Sequence, residues 1–310
     1  MRLSSFVLGV LCIAALALAS LPSIAQDQED VRGAFLTSRP KEKPANTAST
    51  IKPSRRRPKS TGSSNPNIGS NKVQTGNTNT PSKLNTNNST TGSTTVRTPV
   101  NSARLGLGMT LFMRDSNGLA VRTDPAHVFQ KGDRVRVILE TNSDGYLYIF
   151  NTTNDGPPVM IYPDPQLDEA GNYLQAHVPF EIPASTSEQE NLRWFTFDEV
   201  AGDEKLYFVF TREPLKEVPI DDDLITLCRD SAAACPVKPT GDLWAKIQSD
   251  LKTPLATDRN GRYGRAETEA EQQATSRGLG LAKDDPQPSL IMMASSNTPT
   301  LVTALALVHK

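Results

Sequence analysis

The side chains that could do chemistry in this 310-residue chain are few, and their spacing is informative mainly by what it lacks. No G-x-S-x-G elbow, H-E-x-x-H helix, phosphate-binding Walker loop or dinucleotide fingerprint is present, and the histidines His127, His177 and His309 are not flanked by plausible nucleophiles. Gly106-Leu107-Gly108 lacks the spacing and the following helix of a phosphate loop and reads as a strand irregularity. Asp221-Asp222-Asp223 is the densest carboxylate cluster; it could hold a hard cation such as Ca²⁺, but without D-x-D-x-D-G spacing it reads as a solvated acidic loop. No metal and no cofactor is expected. Tyr146, Tyr148, Tyr162 and Trp194 could line an aromatic surface for a glycan or peptide, and they are the candidate binding residues, with core packing as the competing use of the tyrosines. Cys228 and Cys235 are a close, even pair that reads as a disulfide closing a short loop; a structural zinc site would need four ligands, and the histidines are distant in sequence.

Those residues must be positioned by a chain of uneven character. Residues 1–25 read as a secretory signal: Arg2 supplies the basic start, Phe6 to Leu18 an apolar run, and Ser23-Ile24-Ala25 the small residues a signal peptidase reads. The run is interrupted by Pro22 and is shorter than the ~20 residues needed to cross a bilayer, so no transmembrane anchor is expected after cleavage. Residues 26–103 read as a disordered linker, basic first and then dominated by Ser, Thr and Asn. Residues 26–100 carry 12 basic against 4 acidic side chains, so the whole-chain net charge of −1 conceals a basic tail on an acidic globule. An acidic globule argues against specific nucleic-acid binding. The basic stretch 39–59 could touch an anionic surface electrostatically, or the domain itself.

From Arg104 onward the pattern is mainly β. Val135, Val137 and Leu139 alternate with Arg134, Arg136 and Ile138; Asn142-Ser143-Asp144-Gly145 offers a reversal; Tyr146 to Phe150 and Val159 to Tyr162 follow. This predicts a three-stranded antiparallel meander over 132–163. Leu105 to Arg114 predicts a strand that returns at Leu119 to Arg122, Tyr173 to Pro183 an edge strand, and Leu192 to Phe197 with Lys205 to Thr211 a hairpin. Residues 216–280 read as a helical insertion pinned by the disulfide, with Thr240 or Asp242 as a cap and Gly278 as a stop. Ser289 to Ala294 and Thr300 to His309 are expected to close the sheet as a terminal hairpin. The fold class is therefore an antiparallel β-sandwich with a short helical insertion, one domain over 104–310.

Gly132 to Val137, Asp144 to Asn151, Ile161-Tyr162-Pro163 and Thr211 to Leu215 together resemble domain of unknown function family 4384. The resemblance covers about 105–215, and the closing Thr300 to Lys310 strand is similar to chains of acidobacterial type. It implies an exported bacterial β-rich module with no established catalytic residues to carry over. The expected function is a non-catalytic module of the periplasm, envelope or cell surface that engages a protein or glycan partner. The alternative is a hydrolase whose site would gather groups such as His177, Asp164, Asp168 and Glu169.

Overall fold

The computed structural model describes residues 28–41, 55–57, 104–166, 171–295 and 298–310. The signal-peptide reading and most of the linker reading fall outside these residues. In chain order the elements are α1 (Gln28–Thr37), β1 (Gly106–Arg114), β2 (Ala120–Arg122), β3 (Val128–Phe129), β4 (Arg134–Thr141), β5 (Gly145–Thr153), β6 (Val159–Tyr162), β7 (Tyr173–Leu174), β8 (Phe180–Ile182), β9 (Phe195–Thr196), β10 (Gly202–Thr211), α2 (Asp221–Asp230), α3 (Gly241–Asp250), β11 (Leu255–Arg259), α4 (Glu269–Arg277), β12 (Leu290–Ala294) and β13 (Thr300–His309).

Two sheets face each other. One runs β11-β12-β1-β4-β8, with β2 also on β1 and β9 also on β4; the other runs β3-β13-β10-β5-β6, with β7 also on β5. Every pairing is antiparallel except β3 with β13. Between them lies the main core, built from the inward phase of each strand: Val135, Val137 and Leu139 from β4, Leu147 and Ile149 from β5, Leu206, Phe208 and Phe210 from β10, and Leu301, Leu305 and Leu307 from β13. The β-sandwich is the fold the strand pattern predicts.

Its connections are not the predicted ones. β4 and β5 lie in opposite sheets, so residues 142–144 carry the chain across the sandwich and 132–163 is no meander. The same crossing replaces three other expectations: β7 and β8 divide the predicted edge strand, β9 and β10 divide the predicted hairpin, and β12 and β13 divide the terminal hairpin. Alternation fixes which residues share a face but not which sheet a strand joins, and each of these segments has two faces to bury. Gly145 illustrates the difference. It does not have a positive φ; a Cβ there would stand 2.5 Å from the Thr211 carbonyl oxygen and 2.7 Å from the Phe210 ring, so glycine is required for close approach to β10 rather than for a reversal.

The outer faces are covered. Over the second sheet, α2 and α3 bury Leu224, Leu243 and Ile247 against Tyr146, Tyr148, Phe150, Tyr207, Val209 and Val302. Thr240 caps α3 by accepting from the Leu243 amide, and the Cys228–Cys235 disulfide closes the segment after α2, Cα atoms 5.4 Å apart. The insertion is not purely helical, because β11 adds an edge strand to the first sheet. Asp221 to Asp223 form the first turn of α2 instead of a loop, where carboxylates meet the positive end of the helix dipole.

Over the first sheet lies α1, in the stretch predicted to be linker. Val31 and Phe35 pack on Ile291 and Met293, with Phe35 fully buried. Gly106 and Gly108 make the slot: a Cβ on Gly106 would lie 2.8 Å from Phe35, and one on Gly108 3.2 Å from it and 2.5 Å from Pro288. These glycines are a docking surface, not an irregularity in the strand. The 55–57 piece also docks, Arg55 lying over the Phe180 ring and accepting the Tyr173 amide at its carbonyl.

Candidate binding pocket

At one end of the sandwich the described side chains leave a cavity between the sheets. Between the start of β4 and β9 on one side and β5, β6, β10 and β13 on the other lies a cavity of ≈220 Å³. Its walls are core residues, Val135 and Val137 facing Leu206 and Leu307, with Ile161, Phe195 and Phe197 beside them. Phe197 is held by exchanging backbone hydrogen bonds with the Gly132–Asp133 turn, its amide donating to the Asp133 carbonyl and its carbonyl accepting the Gly132 amide, and by stacking on Phe129 with centroids 4.7 Å apart. A break in the β5–β6 register between Ile149 and Phe150 adjoins the same region; irregularities of this kind commonly sit where a sheet opens beside a site.

Three strands put polar residues on their inward, apolar phase here. Asn151 follows Leu147 and Ile149 on β5, Glu204 precedes Leu206 and Phe208 on β10, and His309 follows Leu305 and Leu307 on β13. Asn151 Nδ2 donates to Glu204 Oε2 at 2.9 Å, and Thr153 Oγ1 donates to the same oxygen at 2.9 Å. Among the described residues, Asn151 Oδ1 is buried with no hydrogen-bond partner, and so are both ring nitrogens of His309, a residue 4 % exposed. Asp198 Oδ1 is 3.7 Å from His309 Nε2, beyond hydrogen-bond reach, and the imidazole leans on the Phe197 ring with centroids 5.0 Å apart. Buried polar atoms normally find partners. Unpartnered ones on the wall of an apolar cavity are what a ligand site presents.

None of the four aromatic residues expected to bind is in this pocket, and they do not form a surface. Tyr146 and Tyr148 are buried beneath the helices, Tyr162 lies between the sheets, and Trp194 packs at the edge of the first sheet beside Phe112, Ala120 and Ile138 with the Arg136 guanidinium 4.3 Å from its ring centroid. Their hydroxyls serve the fold: Tyr148 accepts the Leu215 amide at 2.9 Å, and Tyr162 donates to the Gly171 carbonyl at 3.1 Å. Burial raises the pKa of Tyr146 and of Tyr148, against the lowering effect of Arg57 on the first and of Asn172 on the second. Because both sheet faces are covered, alternation assigned these rings to two cores rather than to a core and a surface.

The outer face of the first sheet carries a second polar constellation. Arg39, just past α1, grips Glu140 with Nε to Oε1 at 2.8 Å and Nη2 to Oε2 at 2.6 Å. His177 Nδ1 is 2.7 Å from Glu140 Oε1, and His177 Nε2 is 2.7 Å from Ser38 Oγ. Burial pushes the Glu140 carboxyl up, but the hydrogen bonds from His177 and Arg39 and the charge of Arg39 outweigh it and hold the pKa below the ordinary value. His177 has φ 56°, a strained backbone for a non-glycine residue. Ser38, His177 and Glu140 thus lie in the order of an acyl-transfer triad. Two facts count against that use. Ser38 Oγ is also 2.7 Å from the Phe35 carbonyl and has one proton to donate, and the cavity lined by Glu140 is ≈10 Å³, room for a water and not a substrate. Asp164 instead accepts the Gln166 amide, and Asp168 and Glu169 lie outside the described residues.

Beside this cluster Arg136 bridges Glu181 at 2.9 Å and Glu267 at 2.6 Å, and Arg122 pairs with Glu271. Burial drives the Glu267 pKa up to about 7; Arg136 pulls it down, while Glu181 and Glu271 add to the rise. None of these pairs was legible in sequence, since each joins residues far apart in the chain. The pocket was legible in part: extending the Leu206, Phe208, Phe210 phase backward reaches Glu204, and the Leu305, Leu307 phase forward reaches His309.

Residues 128–214 match the family model described as Domain of unknown function (DUF4384). The resemblance read from the sequence therefore holds over that span. The DUF4384 match includes β3 to β10 and most of the pocket wall, but not β13, which supplies Leu307 and His309. No curated protein and no solved structure matches the chain.

Proposed function

We propose that this chain is a non-catalytic binding module exported to the bacterial periplasm, envelope or cell surface, and that the cavity at the end of the sandwich is its site. The observation that carries the reading is the buried His309 imidazole, whose ring nitrogens have no hydrogen-bond partner among the described residues, on the wall of an apolar cavity. The occupant enters as a free molecule or as a group projecting from a protein or glycan partner. Export is supported by the apolar N-terminal run and by the Cys228–Cys235 disulfide, which suits an oxidising compartment. Among the described residues no helix is long and apolar enough to cross a membrane. Contact of residues 39–59 with an anionic surface has fewer free cations than the composition suggests, because Arg39 and Arg55 are buried in the domain and Arg56 pairs with Asp222 at 3.0 Å.

The test is retention of envelope components by immobilised protein starting at Gln26, compared with Thr196→Trp, which plugs the mouth from an exposed position on β9. A component held by the parent and released by the variant is the expected result; retention indifferent to the plug overturns the assignment of the pocket. The hydrolase reading keeps one observation in its favour, the Ser38–His177–Glu140 alignment. It requires ester hydrolysis or fluorophosphonate labelling that disappears in Ser38→Ala, and the absence of both removes it.

A further inference from the structure

The chemistry of the pocket wall narrows what it takes. We infer, resting on the binding-module reading above, that the ligand is a free small molecule with an apolar body and a primary ammonium group. A cavity of ≈220 Å³ exceeds the ~150 Å³ that admits a benzene ring, so a ring with a short chain fits without displacing core side chains. The apolar part would lie between Val137 and Leu206, where both sheets contribute hydrocarbon.

The polar end of the cavity offers more acceptors than donors. Glu204 already takes two hydrogen bonds on Oε2, from Asn151 and Thr153, which leaves its other carboxylate oxygen to a ligand. Asn151 Oδ1 is an unused acceptor, because its amide nitrogen faces Glu204. Asp198 adds a second carboxylate at the mouth. His309 offers one ring nitrogen as an acceptor and the other as an N–H donor when neutral. An ammonium supplies three donors and a positive charge. It would satisfy Asn151 Oδ1 and Glu204 together, and among the described residues no Lys or Arg lines the cavity to compete for them. A carboxylate ligand would meet two like charges, Glu204 and Asp198, with no Lys or Arg among the described lining residues to offset them.

Calorimetric titration of the mature protein with 2-phenylethylamine, 2-phenylethanol and 3-phenylpropionate tests this. The expected order is amine first, alcohol weaker and carboxylate undetectable. Glu204→Gln should weaken the amine about tenfold or more while leaving the alcohol within about twofold, since a charge-assisted hydrogen bond is replaced by a neutral one. Thr196→Trp should abolish both, and unchanged circular dichroism of the two variants shows that folding is not the cause. A carboxylate that binds as well as the amine, or an amine indifferent to Glu204→Gln, overturns the inference. If all three probes fail while an envelope component is still retained by the parent and lost from Thr196→Trp, the ligand class falls and the binding module stands. If that retention fails too, both fall.

Discussion

At the scale of single residues, the molecule places one set of charges where little water reaches. Arg39, Arg122, Arg136, Glu140, Glu181, Glu267 and Glu271 are all buried, and they form ion pairs with one another across the outer face of the first sheet. Glu267 is the least balanced, since the one guanidinium of Arg136 serves it and Glu181 together. Its pKa of about 7 in the folded protein, against 4.5 for an ordinary glutamate, means that the native state holds this proton more tightly than the unfolded chain does. The associated stability is fully present below pH 4.5 and is lost as pH rises toward 7. Glu140 has the opposite sign: its depressed pKa contributes stability above the ordinary glutamate range that disappears on acidification, so it acts outside this window. Glu267→Gln keeps an acceptor for Arg136 and removes the titration. Urea unfolding of the parent should lose about 2 to 3 kcal/mol between pH 4.5 and 7.5 that the variant retains; equal slopes in the two proteins would show that Glu267 is ionised throughout.

At the scale of elements, what was legible was the strand, and what was not was its destination. β1, β4, β5, β6, β10 and β13 all fall where period-2 alternation puts them, as do the Thr240 cap and the Gly278 stop. Sheet membership depends on which edge a strand meets after each crossing, and that is decided by contacts distant in sequence. α1 was hidden for a different reason. It is short, it shares the tail with a basic stretch and a long Ser/Thr/Asn tract, and averaging composition over the whole tail masks ten residues with two apolar anchors. Its evidence lies on the receiving side, in the glycines of β1 that Phe35 fills. Phe35→Ala should therefore cost about 3 to 5 kcal/mol, the range for deleting a fully buried ring. The urea midpoint of the protein starting at Gln26 measures it. A loss below about 1 kcal/mol would mean that α1 does not dock in solution and that 26–41 behaves as linker after all.

At the scale of the whole molecule, the family match and the folding unit are different things. Residues 128–214 contain β4 and β10, the strands on which each sheet turns, but lack the partners on one side of both: β1 pairs with β4 from Leu107 to Met113, and β13 runs the full length of β10 from Thr211 to Gly202. Without β1 and β13 the matched segment would expose two central strands as edges, with unpaired amides and an open inter-sheet core. The helices that bury Tyr146, Tyr148 and Phe150 would also be missing. The 128–214 fragment is thus expected to lack a cooperative thermal transition and to aggregate, whereas the chain from Gln26 to Lys310 should unfold in one transition followed alike by far- and near-ultraviolet circular dichroism. A fragment that melts cooperatively would show that the matched segment closes its own core. The pocket depends on the same closure, because the last turn of its wall comes from Leu307 and His309 on β13. Binding and folding should therefore be lost together when β13 is removed, while Thr196→Trp separates them by blocking the mouth and leaving both sheets complete.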